Sequence, residues 1–152
     1  MDIRFASKSD VKDIEHLIAN YARQNLLLPV TEQEIKENIS DYVIGRDDSG
    51  SIVGCATYTK YSDILFEIRS LAVVSRMRNK GVGREMVETL IAKIKDMGAK
   101  KIFALTYSVG FFEKLGFSVV PKETLPEKIW KVCVNCPKFE HCDEIAVVRE
   151  YK

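Results

Sequence analysis

The sequence predicts an α+β fold of the mixed α/β kind, a central twisted sheet flanked by helices, and three observations carry that expectation. The chain opens with an alternating stretch followed at once by one of helical period. Its middle third reads as successive strands joined by polar turns. A glycine-containing loop then separates a strand from a long amphipathic helix and a further strand. With 152 residues, one domain over 1–152 is expected, since a chain of that size buries roughly 70% of its unfolded surface without disulfide or metal staples.

Each element has its own warrant. Ile3 and Phe5 alternate with polar neighbours as a first strand, and Ser9 is placed to cap a helix whose apolar positions Val11, Ile14, Leu17, Ile18 and Ala22 keep the 3.6 period. Leu26, Leu27 and Leu28 form an apolar joint before the Pro29 break. Thr31 and Glu34 then have capping-box spacing ahead of Ile35 and Ile39, which predicts a second, short helix. Residues 42–46, 52–61 and 65–74 read as an antiparallel meander, with Asp47-Asp48-Ser49-Gly50 as its first turn. From Val82 the apolar residues Met86, Val87, Leu90, Ile91, Ile94 and Met97 return to helical spacing, and Gly98 closes the helix before a strand over 101–107. Phe111, Phe112 and Leu115 mark a short helix ended by Gly116. A strand over 117–120, an excursion over about 121–144 containing Pro and Cys, and a last strand over 145–149 complete the chain.

Composition excludes several classes of function. Twenty-three basic against 22 acidic side chains leave a net charge of +1, which argues against a nucleic-acid partner, since a general polyanion binder carries a strongly basic face. The first residues, MDIRFASKSDVKD, mix charge with short apolar runs unlike a secretory or transit segment, and no apolar run approaches the roughly 20 residues that span a bilayer. A cytoplasmic protein without a membrane partner is expected.

The most informative stretch is Arg78-Asn79-Lys80-Gly81-Val82-Gly83-Arg84, between a strand ending in Leu71-Ala72-Val73 and the long helix. Glycines allow the backbone to turn its N–H groups inward, and the helix N-terminus adds partial positive charge, so the loop can seat a pyrophosphate. It is not a P-loop, because no Lys-Ser or Lys-Thr follows the last glycine. Nor is it a dinucleotide fingerprint, because the preceding strands look antiparallel and Gly81 and Gly83 are the loop's only glycines. A tight turn before a helix is the alternative on the pattern alone.

Together with Phe112-Glu113-Lys114-Leu115-Gly116-Phe117, the loop and its preceding strand resemble the coenzyme-binding elements of GNAT N-acetyltransferases over nearly the whole chain. The resemblance implies that family's fold, with two parallel strands splayed apart, and acetyl-CoA as co-substrate. Glu67-Ile68-Arg69-Ser70-Leu71-Ala72-Val73, Phe103-Ala104-Leu105-Thr106-Tyr107 and Leu125-Pro126-Glu127-Lys128 further resemble the acetyltransferase domain of bacterial N-acetylglutamate synthases, here without the amino-acid-kinase-like domain of the longer synthases. One departure is Val30, where Arg is expected after Leu-Leu-Pro. The implied activity is acetylation of the α-amine of a small amino acid, first L-glutamate, as in the opening step of arginine biosynthesis. The alternatives are another small amine, a protein N-terminus, or a non-catalytic acyl-CoA-binding sensor.

The resemblance assigns coenzyme contacts to Leu71, Ala72 and Val73, to Arg78 through Arg84, and to Phe112, which reads equally as channel wall or core. Acetyl transfer needs a deprotonated amine, oxyanion stabilisation and a protonated leaving thiolate. Glu67, a strand carboxylate among apolar neighbours, is the candidate base; a solvated Glu paired with a Lys is the alternative. Arg69 shares its face under the period of two and could grip a carboxylate, or simply pair with Glu67. Ser70 and Lys128 join it on the acceptor side, although Lys128, like Lys122, also reads as a solvated charge. Phe111-Phe112 cannot donate a proton, so Tyr107 is the candidate acid, with Ser108 second. Cys133, Cys136 and Cys142, with His141 and Asp143 beside them, offer ligands for a structural zinc, against buried or redox-active thiols. Cys55 and His16 read as packing and surface residues. A homodimer is the commonest symmetric assembly for such a domain.

Overall fold

The computed structural model describes residues 1–125 and 144–151. Strand β1 (Asp2–Phe5) and the meander β2 (Val43–Arg46), β3 (Ile52–Lys60) and β4 (Leu65–Val73) pair antiparallel in turn. Strand β5 (Lys101–Thr106) joins β4 in parallel, β7 (Ile145–Glu150) lies antiparallel to β5, and β6 (Ser118–Val120) pairs with β7 at the edge. The described strands thus form one sheet in the order β1-β2-β3-β4-β5-β7-β6.

Helix α3 (Val82–Asp96) covers one face, burying Val82, Met86, Val87, Leu90 and Ile94 against Val53, Phe66, Ile68 and Ile102, with α4 (Val109–Lys114) at its flank. Burying each such side chain contributes about 1.5–3 kcal/mol. The helix approaches β3 closely because position 54 is glycine: a Cβ there would lie 2.7 Å from Met86 Cε and 3.0 Å from the Ala72 carbonyl oxygen. On the opposite face, α1 (Val11–Arg23) and α2 (Glu32–Glu37) bury Ile14, Ile18 and Ile35 against Ile44, Cys55 and Ala72. Farther along that face, Leu65, Phe103, Val148 and Leu125 form a separate small cluster.

Local signals explain the helix ends. Thr31 accepts the Glu34 N–H at 3.1 Å, as its spacing predicts, and Gly98 follows α3 with φ of 104°. At α1 the expectation fails by two residues: Ser7, not Ser9, begins a 3-10 turn over Lys8–Asp10 that leads into the helix, because the Asp10 carboxylate takes the Ser7 N–H at 2.8 Å. The triple-leucine joint is only half apolar packing, with Leu27 against the α1 cluster and Leu26 exposed.

Candidate active site

Parallel strands side by side keep pairing only while their twists agree. Here β4 and β5 pair at Leu65–Lys101, Phe66–Ile102 and Glu67–Phe103, and then run on to Val73 and Thr106 without further pairing. The opening begins just past Glu67. On its other edge β4 carries a bulge: Thr57 faces Arg69, but Cys55 faces Ala72, so β4 holds an extra residue. Ser70 takes the left-handed conformation, φ 53°, and the buried Cys55 thiol donates to its carbonyl at 3.4 Å. The extra residue reverses the alternation. Glu67 and Arg69 stay on the α1 face of the sheet, while Leu71 and Val73 turn to pack on the α3 side.

Glu67 is 8% exposed, and its surroundings define the site. Tyr61, in the turn after β3, donates its hydroxyl to Glu67 Oε1 at 2.8 Å, and Arg69 Nε lies 3.9 Å from the same oxygen. Arg69 also donates to Thr59 Oγ1 at 3.1 Å. Burial pushes the Glu67 carboxyl up to about 7, the nearby Arg69 charge and the Tyr61 hydroxyl restrain the rise, and Glu144 adds to it. A carboxylate so poised can take a proton near neutral pH, and a guanidinium beside it can hold an anionic group. Tyr61, Thr59 and Glu144 carry no motif that singles them out in the sequence; only the hairpin and the approach of β7 bring them to Glu67.

The loop after β4 turns tightly into α3. Asn79 and Gly81 take left-handed conformations, φ 64° and 84°, and Gly81 caps α3. The first intrahelical bond runs from the Glu85 N–H to the Gly81 carbonyl, so the N–H groups of Val82, Gly83 and Arg84 precede the helical ladder. Space around Gly81 is open, whereas a Cβ on Gly83 would touch the Phe111 ring at 3.4 Å. Arg78 Nη2 donates to the Tyr21 hydroxyl at 3.4 Å, and that hydroxyl donates to the Val73 carbonyl, joining α1, β4 and the loop. Arg84 pairs with Glu88 at 3.0 Å, and Lys80 is exposed.

Comparison with known proteins decides what this architecture is. The model of the acetyltransferase (GNAT) family matches residues 9–117. The chain belongs to the GNAT acetyltransferase family. This acetyltransferase is 40% identical over 147 residues to an uncharacterized N-acetyltransferase of Chlorobaculum tepidum, covering 97% of this chain and 94% of that one. It is 32% identical over 121 residues to an amino-acid acetyltransferase of Mycobacterium tuberculosis, 78% of this chain and 68% of the relative. Against the amino-acid acetyltransferase of Pasteurella multocida it is 30% identical over 128 residues, 83% of this chain but only 29% of that longer protein. Among solved structures, N-acetylglutamate synthase from Neisseria gonorrhoeae, complexed with coenzyme A and N-acetyl-glutamate, is 27% identical with a TM-score of 0.87, matching 99% of this chain and 35% of that one. A Mycobacterium tuberculosis protein in complex with CoA and NLQ shares the fold at 22% identity and a TM-score of 0.85, each chain covered over 100% of its length.

The remaining sequence expectations fall unevenly on the acetyltransferase structure. Tyr107 directly follows β5 and is 40% exposed, and the Ser108 N–H is engaged by Thr106 Oγ1 at 2.7 Å. Phe112 is 3% exposed, edge-on to Phe111 and Phe117, which puts it in the core; the half-buried ring against Gly83 is Phe111. Cys55 is fully buried, and its thiol is pushed up to about 12 by that burial. Lys128, Cys133, Cys136 and Cys142 lie outside the described residues, and among the described ones no group of His, Cys, Asp and Glu is placed to hold a metal. No helix of the described residues is long and apolar enough to cross a membrane.

Proposed function

We propose that this acetyltransferase moves the acetyl group of acetyl-CoA to the α-amine of a small amino acid, with L-glutamate the first choice. One observation carries the reading: a buried carboxyl near neutrality, Glu67, stands beside Arg69 where β4 and β5 separate. The amino-acid acetyltransferase at 32% identity and the N-acetylglutamate synthase structure at 27% support the choice of acceptor.

The coenzyme's pyrophosphate sits on the N–H groups that open α3, with Arg78, Lys80 and Arg84 around it, and pantetheine runs into the gap between β4 and β5. Phe111 lines that path. Glu67 takes the proton of the incoming ammonium, directly or through a water, and the freed nitrogen attacks the thioester carbon. Negative charge gathers on the carbonyl oxygen, which a backbone N–H of the bulged Leu71–Val73 segment stabilises. The C–S bond then breaks as the carbonyl re-forms, the nitrogen gives up its second proton, and the departing thiolate is protonated by Tyr107, which takes that proton in turn, or by solvent. Arg69 holds an acceptor carboxylate, with Ser70 beside it.

The test is release of CoA thiol from acetyl-CoA across a panel of amino acids, simple amines and N-terminal peptides. L-Glutamate is expected to give the highest kcat/KM. A faster simple amine or peptide would move the acceptor to another class, and absence of release with every amine, despite acetyl-CoA binding, would contradict transfer altogether.

A further inference from the structure

Among the described residues every polar contact of Glu67 falls on one oxygen: Tyr61 and Arg69 both address Oε1. The phenol is held there on two sides. Tyr61 N–H bonds to the Leu65 carbonyl at 2.9 Å, closing the β3–β4 turn, and its ring rests on Phe103 with centroids 5.6 Å apart. Phe103 is itself the residue of β5 in register with Glu67. The hydroxyl is thereby aimed at the carboxyl by backbone and packing, not by a free rotor.

We infer that Tyr61 is a positioning residue for acetyl transfer: by fixing Oε1 it leaves Oε2 as the oxygen that receives the amine proton, and it sets the pH at which that oxygen is available. The inference rests on the proposed role of Glu67 as base. A donor to the ionised carboxylate favours ionisation, so Tyr61 works with Arg69 against burial and against Glu144, the other charged groups that act on Glu67; β3 contributes uncharged Thr59, and β5 the apolar Phe103. Arg69 alone, at 3.9 Å, would leave the carboxyl free to rotate.

The experiment is carboxyl 13C NMR titration of the full chain labelled at glutamate, with Glu67→Gln identifying the resonance, in wild type, in Tyr61→Phe and in protein carrying 3-fluorotyrosine at position 61. Tyr61→Phe keeps the ring on Phe103 and removes only the hydroxyl. Its Glu67 midpoint is expected to rise by about one pH unit, and thiol release at pH 6.5 to fall about eightfold while recovering near pH 9. The more acidic fluorophenol, a stronger donor that keeps the native contacts, is expected to lower the midpoint. An unmoved midpoint in both, or a loss of rate equal at every pH, overturns the role of Tyr61. If Glu67→Gln turns over like wild type, the base assignment fails instead, and the titration, which needs no turnover, still decides whether Tyr61 governs Glu67.

Discussion

Two buried carboxylates in this acetyltransferase are treated in opposite ways. Asp10, at the N-terminal corner, is 2% exposed and lies against Arg46 at 2.7 Å, Arg4 at 3.1 Å and the Ser7 N–H at 2.8 Å. Burial opposes its ionisation, but these donors overcome that and hold it well below the usual carboxylate range. Glu67 is nearly as buried, yet it has one phenol on a single oxygen and a guanidinium at 3.9 Å, and it rises to about 7. Low solvent exposure alone therefore does not set the chemistry. Depth below the surface, together with the number and closeness of donors, decides whether a carboxylate is a permanent anion that ties β1, α1 and β2 together or a group that can exchange its proton.

The contrast can be broken at either end. The largest effect is expected at Glu67→Gln, with thiol release at pH 7 falling about 10²–10⁴-fold while the thermal midpoint holds or rises; a matching loss of folded protein would make Glu67 structural. Asp10→Ala should do the reverse. It removes the buried anion that Arg46 and Arg4 share, leaving them Asp13 and Asp2 as partners, and costs about 1.5–3 kcal/mol in urea unfolding, with activity per folded molecule retained. Arg69→Ala should raise the acceptor KM about tenfold and leave the acetyl-CoA KM within about twofold, and equal loss for both would assign Arg69 to the framework. The smallest change is expected at Gly81→Ala, where only the backbone at φ 84° objects because the space is open: about 1–2 kcal/mol of stability, with a raised acetyl-CoA KM.

Stability against pH separates the two sites as well. Asp10 has a depressed pKa in the fold, so its contribution is present above its unfolded value near 4 and is lost as pH falls below that. Glu67 is raised, so the fold is favoured while it is protonated and loses that contribution as pH climbs from about 4.3 through about 7. Thermal melts of Glu67→Gln should lack the decline over that window, and those of Asp10→Asn should lack Asp10's share of an acid limb to which Asp47, also held low by Ser49 and Arg76, contributes.

Much of the framework is legible in the sequence because local rules govern it. The meander, the Thr31 cap, the glycines at 98 and 116 and the long amphipathic α3 all announce themselves by period or by a residue type that a backbone conformation requires. What escapes is set by pairing between distant segments. Strand order β5-β7-β6 follows from where the last strand inserts, and the positive φ of Ser70, a non-glycine residue, has no compositional sign. Glu67 and Arg69 could be placed on one face from the period of two. Tyr61 could not be paired with Glu67, because its aim depends on the turn over 61–65 and on Phe103 arriving from β5. Asp10 becomes a buried anchor only when Arg4 and Arg46 converge on it.

The account stands on Glu67 as the group that frees the amine, and the ratio of wild-type to Glu67→Gln kcat/KM for CoA release with L-glutamate, followed from pH 6 to 10, tests it most directly. The ratio is predicted to be largest near pH 7–8 and to shrink toward pH 10, where free amine is abundant without a base. A ratio that stays constant across the range would contradict it.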